Sequence, residues 1–338
     1  MIPFAFFGSS DFSIYVLDEL KIKGFLPAVI ITTPDKPKGR GLVLSPTPVK
    51  VWAEKNNIPV LDPAKLDDVF LEKLKKCGIE SLNPPAGVDH WPLFIVASYG
   101  KIIPQTIIDL PEHKILNVHP SLLPKYRGAS PIQNAILDDT KDTGVTIIRL
   151  DKEMDHGPIV AVEKVRFDEW STYEKVEEKL GIIGGELLAK ILPDWINGKI
   201  KEVEQDHSQA TFTKKIVKED GLLDPADLKV DAPNERAYLA FRKIQAYHAW
   251  PGAYFFIKSK EQKKSLAAQS QSLQLVSDKS ACSLRTEVQD KIRIKITSAS
   301  WKNDKLIIEK VIPEGKKEIS YKDFLAQKQA RYFDAEEI

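Results

Sequence analysis

The chain has 338 residues, 49 Lys+Arg against 48 Asp+Glu, and a hydrophobic share of 43%. That length exceeds one typical core and implies two domains. The composition excludes a disordered polymer, and no apolar run approaches the roughly 20 residues that cross a bilayer. Met1–Gly8 reads as a buried strand, without the basic start and small-residue cleavage site of a secretory signal. Cys77 and Cys282 lie far apart and form no CxxC pair, so they suggest neither a zinc site nor a disulfide framework.

In chain order, Phe4–Phe7 is a strand, and Phe12, Val16, Leu17 and Leu20 then recur at helical spacing. Further strands are expected at Ala28–Thr32, Ile58–Leu61, Phe94–Ser98, Ile115–Val118, Thr146–Leu150 and Ile159–Val165. Helices are expected at Pro48–Asn56, Asp67–Lys76, Ser130–Leu137 and Thr172–Leu192. Leu82–Pro92, with three prolines and a glycine, reads as a surface loop. This alternation predicts an α/β domain over residues 1–200, with a Rossmann-like, doubly wound, mostly parallel sheet. Such sheets take ligands beyond the carboxyl ends of their strands. Residues 201–220 are polar and read as a linker. Short strands at Ala253–Ile257, Ser272–Val276, Lys291–Ser298 and Lys305–Val311 predict a small OB-like β-barrel or meander over 221–338. Residues 206–338 carry 24 Lys+Arg against 19 Asp+Glu, and residues 1–205 carry 25 against 29. A basic back half behind an acidic front half hints at a polyanionic partner.

The turn Phe7-Gly8-Ser9-Ser10-Asp11-Phe12 is not GxGxxG, and no GxxxxGK[ST] occurs, so dinucleotide and P-loop readings fall away. The densest candidate site is Ile115–Gly128. Residues i and i+2 of a strand face one side, so Asn117 and His119 point together at a strand's carboxyl end. An amide donor beside an imidazole suits a developing oxyanion, and the imidazole can also move protons. Taken alone, the pair serves equally as a cap on the strand end. The loop Asp151–Pro158 follows another strand and brings Asp155 into play. Its acids and glycine are ordinary turn formers, yet a carboxylate facing His119 would orient the ring and favour its charged form.

Together these segments resemble the formyltransferases that use 10-formyltetrahydrofolate. That family's pattern N-x-H-x-S-L-L-P-x-(Y/H)-R-G, with D-x-G in a later loop, appears here as Asn117, His119, Ser121-Leu122-Leu123-Pro124, Arg127-Gly128 and Asp155-His156-Gly157. The resemblance spans nearly all of residues 1–200. It implies that Asn117, His119 and Asp155 are catalytic and that Ser121, Leu122, Leu123 and Pro124 line the folate site. By the same resemblance, Tyr99, Ile102 and Ile103 flank the pterin pocket, and no metal is needed.

Within that family, Thr33–Lys50 is similar to the PD(R/K)PxGRG…PxPVK loop of methionyl-tRNA formyltransferases, which enters the acceptor arm of tRNA. By this resemblance Lys36, Lys38 and Arg40 contact RNA; read from the residues alone, the stretch is also compatible with a solvated loop. The segments Trp250–Ala253, Pro313–Lys317 and Asp323–Leu325 resemble the same branch's tRNA-binding C-terminal domain, although Trp250 and Pro251 read by themselves as core and turn. The resemblance implies methionyl initiator tRNA and folate as partners, no membrane, a monomer, and a place in a bacterial cytoplasm or an organellar matrix. The chain departs from the branch at Leu42-Val43, where lysines are usual, at Leu222-Leu223-Asp224 in place of I-D-W, at Gln245 and Ala249, and in the inserted Leu82–Pro92 loop.

Overall fold

The computed structural model describes residues 3–38, 41–82, 91–229, 232–258 and 291–331. The chain divides into two compact units, 1–215 and 216–338. The first contains strands β1 (Phe4–Gly8), β2 (Val29–Ile31), β3 (Lys36–Lys38), β4 (Val43–Ser45), β5 (Val60–Leu61), β6 (Leu93–Ala97), β7 (Ile115–His119), β8 (Arg127–Gly128), β9 (Asp142–Arg149), β10 (Ile159–Arg166) and β11 (Phe212–Thr213). Its helices are α1 (Asp11–Ile22), α2 (Pro48–Lys55), α3 (Asp68–Leu82), α4 (Gln105–Ile108), α5 (Pro131–Leu137) and α6 (Tyr173–Ile196).

Seven strands form one sheet in the order β10-β9-β7-β6-β1-β2-β5. Pairings from β5 through to β7 are parallel, whereas β7–β9 and β9–β10 are antiparallel. The mostly parallel sheet expected from the strand–helix alternation is therefore present. All five residues of β1, β6 and β7 are buried, as strands covered on both faces must be. On one face Ala5, Phe7, Phe94 and Ile115 pack with Phe70 and Leu74 of α3 and with Ile107 and Ile108 of α4. The other face carries α1 and α6, and glycines on α6 permit their close approach. A Cβ at Gly181 would stand 2.6 Å from that of Tyr15, and one at Gly184 2.7 Å from Val118 Cγ1. The period-2 geometry of β7 follows: Leu116 and Val118 face α6, while Ile115, Asn117 and His119 face away from it.

Two expectations change. The segment around Lys36–Ser45 is a two-stranded ribbon, with Lys36 opposite Ser45 and Lys38 opposite Val43, and not an irregular loop. The supposed linker 201–220 belongs in good part to the first unit. Ile159 bridges Val203, Arg149 Nε donates to Glu202 at 2.6 Å, and β11 pairs in parallel with β8. Polar composition suggested a free connector, but these polar groups are satisfied by the sheet edge.

The second unit holds α7 (Asn234–Ala246), β12 (Tyr254–Lys258), β13 (Lys291–Lys302), β14 (Lys305–Pro313), β15 (Ile319–Ser320) and α8 (Tyr321–Arg331). The strands run as an antiparallel meander, β12-β13-β14-β15. Its core gathers Phe255, Ile257, Ile294, Ile296, Ile308 and Val311 with Ala240 and Ile244 of α7 and Phe324 of α8. The β13–β14 turn places Asn303 and Asp304 at φ 48° and 57°, the conformation of a tight two-residue hairpin. Trp250, expected in the core, is 54% exposed, while Pro251 is buried. The expected strand Ser272–Val276 lies outside the described residues, as do Arg40 and residues 83–90 of the Leu82–Pro92 loop.

Candidate active site

The candidate site forms where β7 ends. Asn117 and His119 are both buried and lie on the same side of the strand, in register with Ile148 and Thr146 of β9. The β9–β10 loop carries Asp155 to them. Asn117 Nδ2 donates to Asp155 Oδ1 at 3.2 Å, and His119 Nδ1 stands 3.6 Å from the same oxygen, beyond hydrogen-bond range. Gly128 N donates to Asp155 Oδ2 at 2.8 Å. The structure thus brings together the three residues separated by 38 positions of sequence.

The ring of His119 has a defined orientation. Its Nε2 lies 3.0 Å from the Tyr126 carbonyl oxygen, which can only accept, so Nε2 carries a proton. Nδ1 is then the ring nitrogen that faces Asp155. Asp155 itself sits at φ 50°, in the left-handed region that Asp tolerates better than most residues. The glycine of the D-x-G motif is sterically required, because a Cβ at Gly157 would overlap the Arg149 carbonyl.

The loop Ser121–Pro124 is pinned beside the trio. Thr146 Oγ1 donates to Ser121 O at 2.7 Å and accepts from Leu123 N at 3.1 Å. Ser121 Oγ donates to Lys125 O at 2.7 Å, so this hydroxyl supports its own loop. Leu123 is buried; Leu122 and Pro124 are half-buried. Tyr99 and Ile103 pack in the core with Phe7, whereas Ile102 is 88% exposed. Burial pushes the Tyr99 phenol well above its usual range, and its buried hydroxyl has no hydrogen-bond partner among the described residues. Lys36 is exposed on β3; the side chain of Lys38 and all of Arg40 lie outside the described residues. Behind Lys36, Lys50 of α2 bonds both Asp35 and Asp62 at 2.9 Å, which ties the root of the ribbon to the sheet. Among the described residues, no group of three His, Cys, Asp or Glu is placed to hold a metal ion.

Sequence reasoning missed a buried layer behind Asp155. Arg127 donates to Gln205 Oε1 through Nη2 at 2.6 Å and Nε at 3.2 Å, and Gln205 Nε2 donates to the carbonyls of Asp155 and Gly157. His207 Nδ1 lies 2.8 Å from Arg127 Nη2, and its ring stacks on His156 at 4.1 Å. Arg127 stood in the motif without a role; Gln205 carried no signal beyond its place in a polar stretch.

Known proteins resemble the chain in both of its units. A formyl transferase family model matches residues 2–192, and a formyl transferase C-terminal domain model matches 222–329. The chain is 34% identical to the methionyl-tRNA formyltransferase of Lactobacillus acidophilus over 338 residues, covering 100% of this chain and 99% of that one. The chain belongs to the methionyl-tRNA formyltransferase family. The family's enzyme from Thermotoga neapolitana is 41% identical over 258 residues, 76% of each chain. A solved methionyl-tRNA formyltransferase from Clostridium thermocellum shares the fold, with a TM-score of 0.52 and 16% identity, covering 93% of this chain and 99% of that chain. Family membership extends through the C-terminal unit, so both units described above belong to one formyltransferase architecture.

Proposed function

We propose that this enzyme transfers the formyl group of 10-formyltetrahydrofolate to the amino group of methionyl initiator tRNA. The observation that carries the proposal is the convergence of Asn117, His119 and Asp155 at the carboxyl end of β7, in a chain that belongs to this family along its whole length. In this reading the amine attacks the formyl carbon and forms a tetrahedral oxyanion. Asn117 has two N–H donors and spends one on Asp155, leaving the other for the oxyanion. His119, anchored through Nε2, presents Nδ1 for the proton released by the attacking amine. Asp155 supplies the counter-charge beside Nδ1 as the ring becomes an imidazolium. The C–N10 bond then breaks with its electron pair on N10. N10 takes up a proton, so one proton passes in net from the amine to the folate.

The folate would lie along Ser121–Pro124 and beside Tyr99, Ile102 and Ile103, with the exposed Ile102 face turned to it. The ribbon bearing Lys36, Lys38 and Arg40 would meet tRNA phosphates, with help from the basic 216–338 unit. All three catalytic groups come from one chain, which supports action as a monomer, and the named relatives are bacterial, which supports a bacterial cytoplasm. The test is product analysis with 10-formyltetrahydrofolate and, in separate reactions, methionyl initiator tRNA, an amino-sugar nucleotide and water. Formylmethionyl-tRNA as the dominant product is expected; preferential formylation of the sugar nucleotide would overturn the acceptor assignment.

A further inference from the structure

Gln205 is 5% exposed and uses its whole hydrogen-bonding capacity in one place. Its Nε2 donates to Asp155 O at 2.9 Å and to Gly157 O at 2.7 Å. Its Oε1 accepts from Arg127 Nη2 at 2.6 Å and Nε at 3.2 Å. Two N–H groups and two lone pairs are thereby all engaged. The direction of this chain is fixed. A guanidinium only donates, so the amide oxygen must face Arg127 and the NH2 must face the carbonyls. Arg127 is itself 3% exposed, and its guanidinium bonds Gln205 Oε1 and lies 2.8 Å from His207 Nδ1. The two carbonyls flank His156 and so span the turn that holds Asp155 at φ 50°. A residue in that conformation persists where its surroundings over-determine it.

Resting on the formyl-transfer reading above, we propose that Gln205 is a positioning residue. It clamps the backbone of the Asp155–Gly157 turn so that Oδ1 stands beside both Asn117 Nδ2 and His119 Nδ1. Gln205 lies in the polar stretch that follows α6 and belongs to the first unit, so that stretch is also a wall of the site.

Gln205→Glu separates this role from simple support of Arg127. The carboxylate remains an acceptor for Arg127 and adds a charge partner, so the fold is kept. The donors to the two carbonyls are lost, and carboxylate oxygen is set against carbonyl oxygen. The expected result is a kcat for formyl transfer lowered about 10- to 100-fold, as for a misplaced catalytic group. KM for 10-formyltetrahydrofolate and Met-tRNA should stay within about threefold of wild type, with Tm unchanged or raised. Hydrogen exchange of the Gly128 amide, which bonds Asp155 Oδ2, should accelerate in the variant. Wild-type kcat with an unchanged Gly128 amide would overturn the proposal. So would a fall in kcat matched by equal losses in folate affinity and Tm, which would mark a merely structural role. Should Gln205→Glu fail to fold, Gln205→Met, which has the shape without donor or acceptor, is judged by the same kcat and exchange criteria. Failure of wild type itself to formylate Met-tRNA would refute the acceptor reading, while Gly128 exchange would still decide the positioning role.

Discussion

Glu177 offers a quantitative test of how the first unit is packed. This carboxyl lies on α6, is 6% exposed, and accepts a hydrogen bond from the Tyr173 hydroxyl at 2.8 Å. The Phe12 backbone N–H at the start of α1 also bonds it. Burial pushes its pKa from 4.5 up to about 7, against the lowering effect of those two bonds, and Asp11 and Glu174 raise it further. The folded state therefore binds a proton that the unfolded chain releases near pH 4.5. Stability from this group is full below pH 4.5, falls as pH rises towards 7, and levels off above it. At 1.36 kcal/mol per unit, the loss across that window is on the order of 3 kcal/mol. A glutamine at this position would keep an acceptor for the Tyr173 hydroxyl and never ionise. Glu177→Gln should therefore match wild type near pH 4.5 and exceed it at pH 8 by roughly 2–3 kcal/mol, or about 5–10 °C in Tm. Urea unfolding of both proteins at pH 4.5, 6, 7 and 8 measures the difference directly. A stability gap that stays flat across this range would refute the reasoning, because only titration of this buried carboxyl makes the gap depend on pH.

Other outcomes follow from the site. Gly157→Ala should abolish turnover and lower stability by several kcal/mol, since its Cβ would overlap the Arg149 carbonyl; turnover within about tenfold of wild type would contradict the packing argument. Arg40→Ala should lower kcat/KM for Met-tRNA by about 1–3 kcal/mol in transition-state stabilisation, with Lys rescuing in part and folate affinity retained. A chain ending at Lys215 should bind folate but lose salt-sensitive tRNA affinity, read by titration at several salt concentrations. A chain ending at Asn197 should lose activity as well, because it lacks Gln205 and the strand that pairs with Arg127 and Gly128.

What could be read in the sequence follows the physics of each signal. Period-2 geometry alone puts Asn117 and His119 on one side, because a strand leaves no other choice. Buried parallel strands such as Phe4–Gly8 stood out as apolar runs. The helix α7 was not expected, although Ala237, Ala240, Phe241 and Ile244 repeat at helical spacing, because the short strands around it dominate the pattern of the back half. The ribbon Lys36–Ser45 was hidden because a two-stranded ribbon buries no face and so leaves no periodic trace. Gln205 could not be found by pattern at all: its importance comes from two backbone carbonyls 48 and 50 residues away, and a contact of that kind writes nothing into local composition. The ring orientation of His119 likewise depends on a carbonyl, that of Tyr126, which has no side-chain signature.

In the proposed function one trio, Asn117, His119 and Asp155, performs formyl transfer to Met-tRNA. The direct measurement is single-turnover formylation of methionyl initiator tRNA by wild type, His119→Ala and Asn117→Ala, with saturating 10-formyltetrahydrofolate and folate affinity determined in parallel. The expected result is formylmethionyl-tRNA from wild type and a rate about 10²–10⁴-fold lower in each variant, with folate affinity changed far less. Formylation by His119→Ala at the wild-type rate would contradict it.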